Sequence, residues 1–184
     1  MKEYKLMIGG KWVNGEEVRE IKSPYDGSGV AKVHFAGKEQ VEAAVGAAHE
    51  AFEVTKKLSS YDRAEVLEFI SGEIDKRNEE LAVSIAKSAG KTIKSARVEA
   101  SRAVNTFKIA AEEAKRIDGE ILPLDLSPQT TKRWGLVRRF PIGVIAGITP
   151  FNFPLNLVAH KVAPAIATGN TVVLRPASQV SVTS

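Results

Sequence analysis

The stretch "IGVIAGITPFNFPLNLVAHKVAPAIATGNTVVLRP", residues 142–176, decides the fold. Its two ends, 142–148 and 170–176, are apolar runs of strand length, and the segment between them, 154–169, has the apolar spacing of a helix. Two apolar strands joined by a helix form a βαβ unit, in which the strands lie parallel. We therefore predict an α/β fold built on a doubly wound parallel sheet.

The loop "TPFNF", residues 149–153, follows the first of these strands, and ligands of open α/β sheets bind beyond the carboxyl ends of the strands. Pro154 suits the first position of a helix, which places Asn152 just ahead of a helix N-terminus, where negative charge is favoured. The uncharged carboxamide of Asn152 can donate a hydrogen bond to an oxyanion that forms on a carbonyl substrate. The alternative is that Asn152 only caps the helix or forms an Asx turn.

The whole chain divides into three predicted segments. Residues 1–119 begin with short β-prone runs separated by turn dipeptides, such as Gly9-Gly10 and Asp26-Gly27, and continue with four helices. The last of these helices is predicted over 92–118, with alanines and Phe107 on its apolar stripe. Residues 120–140 form the second segment, and residues 141–184, with the βαβ unit, form the third.

Residues 120–140 predict a projecting β arm. Pro123 and Pro128 disfavour helix, and Trp134, Leu136 and Phe140 roughly alternate with polar neighbours. The apolar residues of the arm are too few to build a core, so we expect a partner subunit to cover them.

The run "KRWGLVRRF", residues 132–140, also admits a nucleic-acid-binding module, because basic residues interleaved with aromatic ones can hold a single strand. The other basic residues of the chain do not cluster, however, so no nucleic-acid partner is expected.

Composition narrows the class of protein. The 184 residues are 43% hydrophobic and 26% charged, with a net charge of +4, which is typical of a globular chain with a solvated surface. No run is apolar enough to span a membrane, so no membrane partner is expected and a cytoplasmic location is predicted. The sequence has no cysteine, which excludes disulfides and thiolate metal sites within it. His34, His49 and His160 have no ligand-like spacing, and no metal is predicted.

The segment 140–178 resembles the aldehyde dehydrogenase superfamily, whose pattern has an Asn-Phe-Pro core, a "GNTVV" strand and then a Lys-Pro pair. The resemblance extends more weakly through "GGKWVNGE" and "SAGKTIKSARVEASRAVNTFKIAAEEAKRIDGE" and so covers essentially the whole chain. The chain matches less than the first half of a family member. The resemblance implies a Rossmann-like cofactor domain, NAD(P)-dependent oxidation of an aldehyde through a cysteine thiohemiacetal, and Asn152 as the oxyanion donor. The cysteine nucleophile and the glutamate base are then expected beyond residue 184, with the catalytic domain.

The resemblance also assigns the cofactor site. It places four residues on the nicotinamide side, and four along the adenosine ribose. The residues on the nicotinamide side are Ile148, Thr149, Pro150 and Phe151. The residues along the adenosine ribose are Arg175, Pro176, Ala177 and Ser178. No G-x-G-x-x-G fingerprint accompanies them, and Gly143 is interpreted as a site of close strand packing.

The motif "LRPAS" departs from the commoner family pattern at two positions. Arg175 replaces a lysine, and Ser178 stands where an acidic residue would repel a 2′-phosphate. A guanidinium can bind a phosphate through two parallel hydrogen bonds, so we expect NADP, alone or beside NAD, as the cofactor. The alternative is that Arg175 contacts ribose hydroxyls or forms a salt bridge elsewhere, and that Ser178 caps the next helix.

The predicted partners are a small aldehyde and further copies of the chain, as a dimer or tetramer of the full-length protein. A second hypothesis is a truncated, non-catalytic family member that acts only through oligomerisation. On the long helix, Glu99 and Arg102 are three residues apart and are expected to form a minor surface ion pair.

Overall fold

The computed structural model describes residues 1–183. The chain begins with five strands, continues with four helices, and ends with a hairpin and a strand–helix–strand unit. The strands are β1 Lys2–Tyr4, β2 Leu6–Ile8, β3 Lys11–Val13, β4 Glu17–Lys22, β5 Gly29–Phe35, β6 Glu120–Pro123, β7 Trp134–Val137, β8 Val144–Ile148 and β9 Thr171–Arg175. The helices are α1 Lys38–Thr55, α2 Ser60–Lys76, α3 Asn78–Ala89, α4 Ile93–Ala114 and α5 Asn156–Ala167.

The N-terminal strands form two small sheets. β2 and β3 pair antiparallel around Gly9 and Gly10, which both have the positive φ angles that glycine adopts without strain. β4 and β5 also pair antiparallel, and β1 adds to the free edge of β5 in parallel. The turn dipeptides Gly9-Gly10 and Asp26-Gly27 therefore mark two hairpins, as the sequence predicts.

The main core lies among the helices. α4 packs against α2, α3 and α5, and its buried face is made of alanines and Phe107. Such small side chains let the helix axes approach closely, and Leu67, Ile85 and Leu155 fill the space between them. α4 ends at Ala114, before the predicted end at Asp118, and the chain then runs without regular structure to β6.

The strand–helix–strand unit is parallel, which confirms the predicted α/β fold class. β8 and β9 align from Val144 opposite Thr171 to Ile148 opposite Arg175. Gly147 lies at a closely packed position, because a Cβ there would come within 3.2 Å of Leu174 Cδ1 and 3.7 Å of Lys161 Cβ of α5. α5 continues through Pro164.

The interpretation of Gly143 as a close-packing residue is wrong. A Cβ at Gly143 would meet no atom within 4 Å, and its φ of +129° is the feature that favours glycine. Gly143 lies at the amino end of β8, where its N–H donates to Asn170 Oδ1 at 2.9 Å. It is therefore at the opposite end of the sheet from the loop 149–153.

β6 and β7 form an antiparallel hairpin within the predicted arm. Its apolar side chains are mostly exposed, including Ile121 at 71%, Trp134 at 66% and Leu136 at 67%. No helix among residues 1–183 is long and apolar enough to cross a membrane.

Candidate active site

The carboxyl ends of β8 and β9 bring the two predicted cofactor-binding runs together. Ile148 lies directly opposite Arg175 in the parallel register. One residue further, the Thr149 N–H donates to the Arg175 carbonyl oxygen at 3.2 Å. Residues 148–151 and 175–178 therefore leave the sheet side by side, at the edge where α/β sheets bind ligands.

Exposure is uneven along the loop after β8. The side chains of Ile148 and Phe151 are 64% and 57% exposed, whereas Thr149 is 4% exposed. The buried Thr149 Oγ1 has no hydrogen-bond partner among the described residues. Since an unsatisfied buried hydroxyl costs free energy, this atom suits a hydrogen bond to a ligand or to water.

Asn152 lies in the exposed part of this loop and does not cap α5. Within residues 1–183 its carboxamide makes no hydrogen bond, and the residue at the N-cap position is Leu155. α5 begins at Asn156, two residues after the predicted start at Pro154, although the Leu157 N–H already donates to the Phe153 carbonyl oxygen at 3.0 Å. The capping alternative for Asn152 therefore has no support from the geometry.

The group that caps α5 is Glu99 of α4. Its Oε1 accepts hydrogen bonds from the backbone N–H groups of Leu155 at 3.0 Å and Asn156 at 3.3 Å. Its Oε2 lies 2.6 Å from Lys91 Nζ, and the Glu99 side chain has no solvent exposure. The predicted Glu99–Arg102 surface pair is thus wrong, because Glu99 faces the core and pairs with Lys91.

Phe153, the residue after Asn152, lies beneath two cations. Lys91 Nζ is 3.8 Å from the centroid of its ring, and the Arg102 guanidinium carbon is 5.7 Å away. Both distances are within the range of cation–π attraction. The residue that follows Asn152 is therefore in contact with the α3–α4 connection through Lys91 and with α4 through Arg102.

The side chains of Arg175 and Ser178 have no hydrogen-bond or ion-pair partner among the described residues. Arg175 is exposed, and no acidic side chain of residues 1–183 lies within ion-pair distance of it. Ser178 begins a short 3-10 turn, Ser178–Val180, whose N-cap residue is Ala177 and which has no side-chain cap. Neither the salt-bridge alternative for Arg175 nor the capping alternative for Ser178 is found in this part of the chain.

No group of three or more metal-ligating side chains occurs in the described part of the chain. His34 is buried on β5, where Nδ1 accepts from the Gly15 N–H at 3.0 Å and Nε2 lies 2.8 Å from Glu3 Oε1. Its two ring nitrogens are thus already in hydrogen bonds within the protein.

Comparison with known proteins identifies the family. The model of the aldehyde dehydrogenase family matches residues 12–184. The chain belongs to the aldehyde dehydrogenase family. It is 42% identical over 177 residues to the 3-sulfolactaldehyde dehydrogenase of Priestia aryabhattai, a match that covers 96% of this chain and 37% of that enzyme. The chain therefore spans about 37% of the length of this curated relative.

Solved structures of two other aldehyde dehydrogenases share the fold. Aldehyde dehydrogenase 21 of Physcomitrella patens, in complex with the reaction product succinate, superposes with a TM-score of 0.96 at 41% identity, over 99% of this chain and 38% of its own. The NADP-dependent glyceraldehyde-3-phosphate dehydrogenase of Bacillus halodurans, complexed with NADP, gives a TM-score of 0.95 at 33% identity, over 100% and 39% respectively. This member of the aldehyde dehydrogenase family thus has the expected Rossmann-like α/β fold.

Sequence reasoning missed the contacts of Glu99 and Lys91 in this member of the aldehyde dehydrogenase family. A signal was available for Glu99, since it lies three residues after Ala96 and four before Ala103, on the apolar stripe of α4. A carboxylate at a core position needs partners, and the free N–H groups of a following helix can supply them. Lys91 carries no comparable sequence signal, because its contact with Glu99 depends on how α3 meets α4.

Proposed function

We propose that this chain is the cofactor-binding portion of a protein that oxidises an aldehyde to a carboxylic acid or acyl product with NADP or NAD. In this proposal residues 1–119 and 141–184 belong to the cofactor-binding domain, and residues 120–140 form an oligomerisation arm. The observation that carries the proposal is the free carboxamide of Asn152, in an exposed loop beside the carboxyl ends of β8 and β9.

Asn152 is proposed as the oxyanion donor. When a cysteine thiolate attacks an aldehyde, negative charge develops on the carbonyl oxygen, and a carboxamide N–H can stabilise it without titrating. Loss of one such donor typically costs about 2.7–4 kcal/mol of transition-state stabilisation. The sequence of this chain contains no cysteine, so the nucleophile and the glutamate that activates water are assigned to the remainder of the full-length protein.

The strand ends are proposed to hold the dinucleotide. Ile148, Thr149, Pro150 and Phe151 would line its nicotinamide side, where Thr149 Oγ1 has an unused hydrogen-bonding capacity. Arg175, Pro176, Ala177 and Ser178 would follow the adenosine ribose. The unpaired guanidinium of Arg175 suits a 2′-phosphate, which favours NADP over NAD. When bound, the cofactor accepts hydride from the substrate.

The aldehyde is proposed to carry an acidic group. Relatives of this chain include a 3-sulfolactaldehyde dehydrogenase and a glyceraldehyde-3-phosphate dehydrogenase, whose names specify sulfonate and phosphate substituents. Arg102 lies beside Phe153, next to Asn152, and has no ion-pair partner within residues 1–183. An unpaired guanidinium at this position suits a substrate anion.

The assembly and location of the protein also remain proposals. The exposed apolar side chains of the β6–β7 hairpin support burial against a second subunit, as a dimer or tetramer. A cytoplasmic location is retained from the sequence prediction.

The test of the proposed function is aldehyde-dependent reduction of NADP and NAD by the full-length protein. Production of NADPH or NADH is expected with the full-length protein and not with the purified 184-residue chain, which has no thiol. If the full-length protein reduces neither cofactor with a panel of acidic and neutral aldehydes, the non-catalytic hypothesis is favoured instead. Activity of the isolated chain would contradict the proposed cysteine mechanism.

A further inference from the structure

Glu99 is a charged group in the interior of the helical core. Its side chain is fully buried among the alanines of α4. A carboxylate is rarely found at such a position unless several partners satisfy it, because removing the charge from water is costly. The partners of Glu99 therefore indicate why a carboxylate is present.

The two oxygens of Glu99 serve two different elements. Oε1 accepts from the Leu155 and Asn156 N–H groups, which are the free donors at the start of α5. Oε2 binds Lys91 Nζ at 2.6 Å, and Lys91 follows Gly90, the left-handed residue that ends α3. A single carboxylate thus fixes the start of α5 relative to α3 and α4.

The contacts continue to the residue beside Asn152. The Lys91 ammonium, with a side chain only 17% exposed, lies 3.8 Å from the Phe153 ring centroid. Because Lys91 binds both the Glu99 carboxylate and this ring, displacement of either partner disturbs the other. The backbone after Asn152 is therefore held by Lys91 at Phe153 and by Glu99 at Leu155 and Asn156.

The backbone before Asn152 is held by the sheet. The buried Thr149 bonds through its N–H to the Arg175 carbonyl oxygen. Only three residues, Pro150, Phe151 and Asn152, lie between this bond and Phe153. The position of the Asn152 carboxamide thus depends on one anchor at each end of a short loop.

We propose that Glu99 is a positioning residue that, together with Lys91, sets the placement of the Asn152 carboxamide for catalysis. This inference rests on the proposed role of Asn152 as oxyanion donor. A buried ion pair contributes little net stability compared with an apolar replacement, so its function here is geometric. A displacement of about 1 Å at a catalytic group can lower the rate by roughly 100-fold.

The first test is Glu99→Gln in the full-length enzyme. Glutamine has one acceptor oxygen, which can serve the α5 amides or Lys91 but not both. We expect kcat to fall by roughly 10- to 100-fold while KM for NADP stays within about twofold of wild type. Glu79→Gln is the matched control, because Glu79 also pairs across helices, with Arg97 of α4, but at the exposed surface. It should leave kcat unchanged.

Lys91→Met is a second variant that keeps the two backbone hydrogen bonds of Glu99. It removes the ammonium between Glu99 and Phe153, and it should lower kcat in the same direction. It provides the test if Glu99→Gln does not fold. Normal kcat in a folded Glu99→Gln protein, or in Lys91→Met if only that variant folds, overturns the proposal.

A double-mutant cycle separates this proposal from the role of Asn152 itself. If Glu99 acts through Asn152, Glu99→Gln should cause little further loss of kcat in an Asn152→Ala background. Losses that multiply would show that Glu99 affects turnover by another route and would overturn the inference.

Hydrogen exchange tests the positioning without any turnover. In the full-length protein, Glu99→Leu, which removes both acceptor oxygens, should speed exchange of the Leu155 and Asn156 amides about tenfold, relative to Glu79→Gln. Unchanged exchange would contradict the positioning role. Two results together would separate the two proposals. If Asn152→Ala retains full kcat, and the Leu155 and Asn156 amides exchange faster in the Glu99 variant, the oxyanion proposal fails and the anchoring of the loop by Glu99 stands.

Discussion

At the residue scale, cofactor choice is proposed to depend on Arg175. Its guanidinium is exposed at the end of β9 and has no ion-pair partner within the described residues, so it is available to a phosphate. In the full-length enzyme, Arg175→Ala should lower kcat/KM for NADP by at least about tenfold and change kcat/KM for NAD much less, because the lost contact is specific to the 2′-phosphate. Steady-state kinetics with both cofactors measure this difference.

Ser178→Glu provides the complementary variant. A carboxylate at this position should repel a 2′-phosphate and lower NADP efficiency, while NAD efficiency is retained. Equal losses with the two cofactors in Arg175→Ala would show that Arg175 does not read the 2′-phosphate.

At the element scale, α2 begins with a complete capping box. Ser59 Oγ accepts from the Asp62 N–H at 3.1 Å, and Asp62 Oδ2 accepts from the Ser59 N–H at 3.0 Å. Ser59→Ala should lower the free energy of unfolding by about 1 kcal/mol, since an N-cap hydroxyl is lost. Chemical denaturation of the 184-residue chain measures this change, with Ser101→Ala, at an exposed serine inside α4, as the control. Equal stability of Ser59→Ala and wild type would contradict the cap.

The same box predicts a pH dependence. Hydrogen bonds from Ser59 lower the pKa of Asp62 below its usual value of 3.8. A lowered folded-state pKa gives stability that is present above the unfolded-state pKa and is lost as the pH falls through the folded-state pKa. Asp62→Asn should therefore reduce the loss of stability between about pH 4 and pH 2, as measured by thermal melts across that range. Parallel pH profiles for wild type and Asp62→Asn would contradict this.

Most elements could be predicted from sequence because their signals are local. Hydrophobic periodicity gives α4 and its buried face, and the two apolar runs around α5 give the parallel pair β8 and β9. The start of α5 could not be placed correctly, because residues 153–155 form a turn whose first free N–H groups bind the distant Glu99. The sequence predicts Glu99 at the surface, since its actual partners lie 8 and 56 or 57 positions away and leave no local signal.

In the candidate site too, some features could be predicted from nearby sequence, and others depend on contacts between residues far apart in the chain. The parallel orientation of β8 and β9 follows from the βαβ pattern, so the meeting of their carboxyl ends, with Ile148 beside Arg175, was predictable. The buried, unpartnered Thr149 Oγ1 and the contact of Lys91 with Phe153 were not, because both depend on tertiary packing.

At the scale of the whole molecule, the exposed hairpin β6–β7 predicts assembly. Trp134 and Leu136, 66% and 67% exposed, lie on one face of β7, and the exposed Ile121 pairs with Leu136 across the hairpin, so the three side chains form an apolar patch of the kind that marks an interaction surface. In the full-length protein, Trp134→Glu should shift the sedimentation coefficient toward the monomer, because a charge would be buried at the interface. Asn14→Glu, which adds a carboxylate at an exposed polar position outside the arm, is the control. A monomeric wild type, or an assembly that Trp134→Glu does not change, would contradict the role of the arm.

The chain as a whole is proposed to present Asn152 to an aldehyde bound beside the cofactor, and Asn152→Ala in the full-length enzyme tests this claim most directly. An oxyanion donor contributes to the transition state and not to the fold, so kcat should fall by about 100- to 1,000-fold while Tm stays unchanged. Gln129→Ala, which removes an exposed carboxamide in the arm, should leave both quantities at the wild-type value. A lowered Tm with normal kcat in Asn152→Ala would contradict the account.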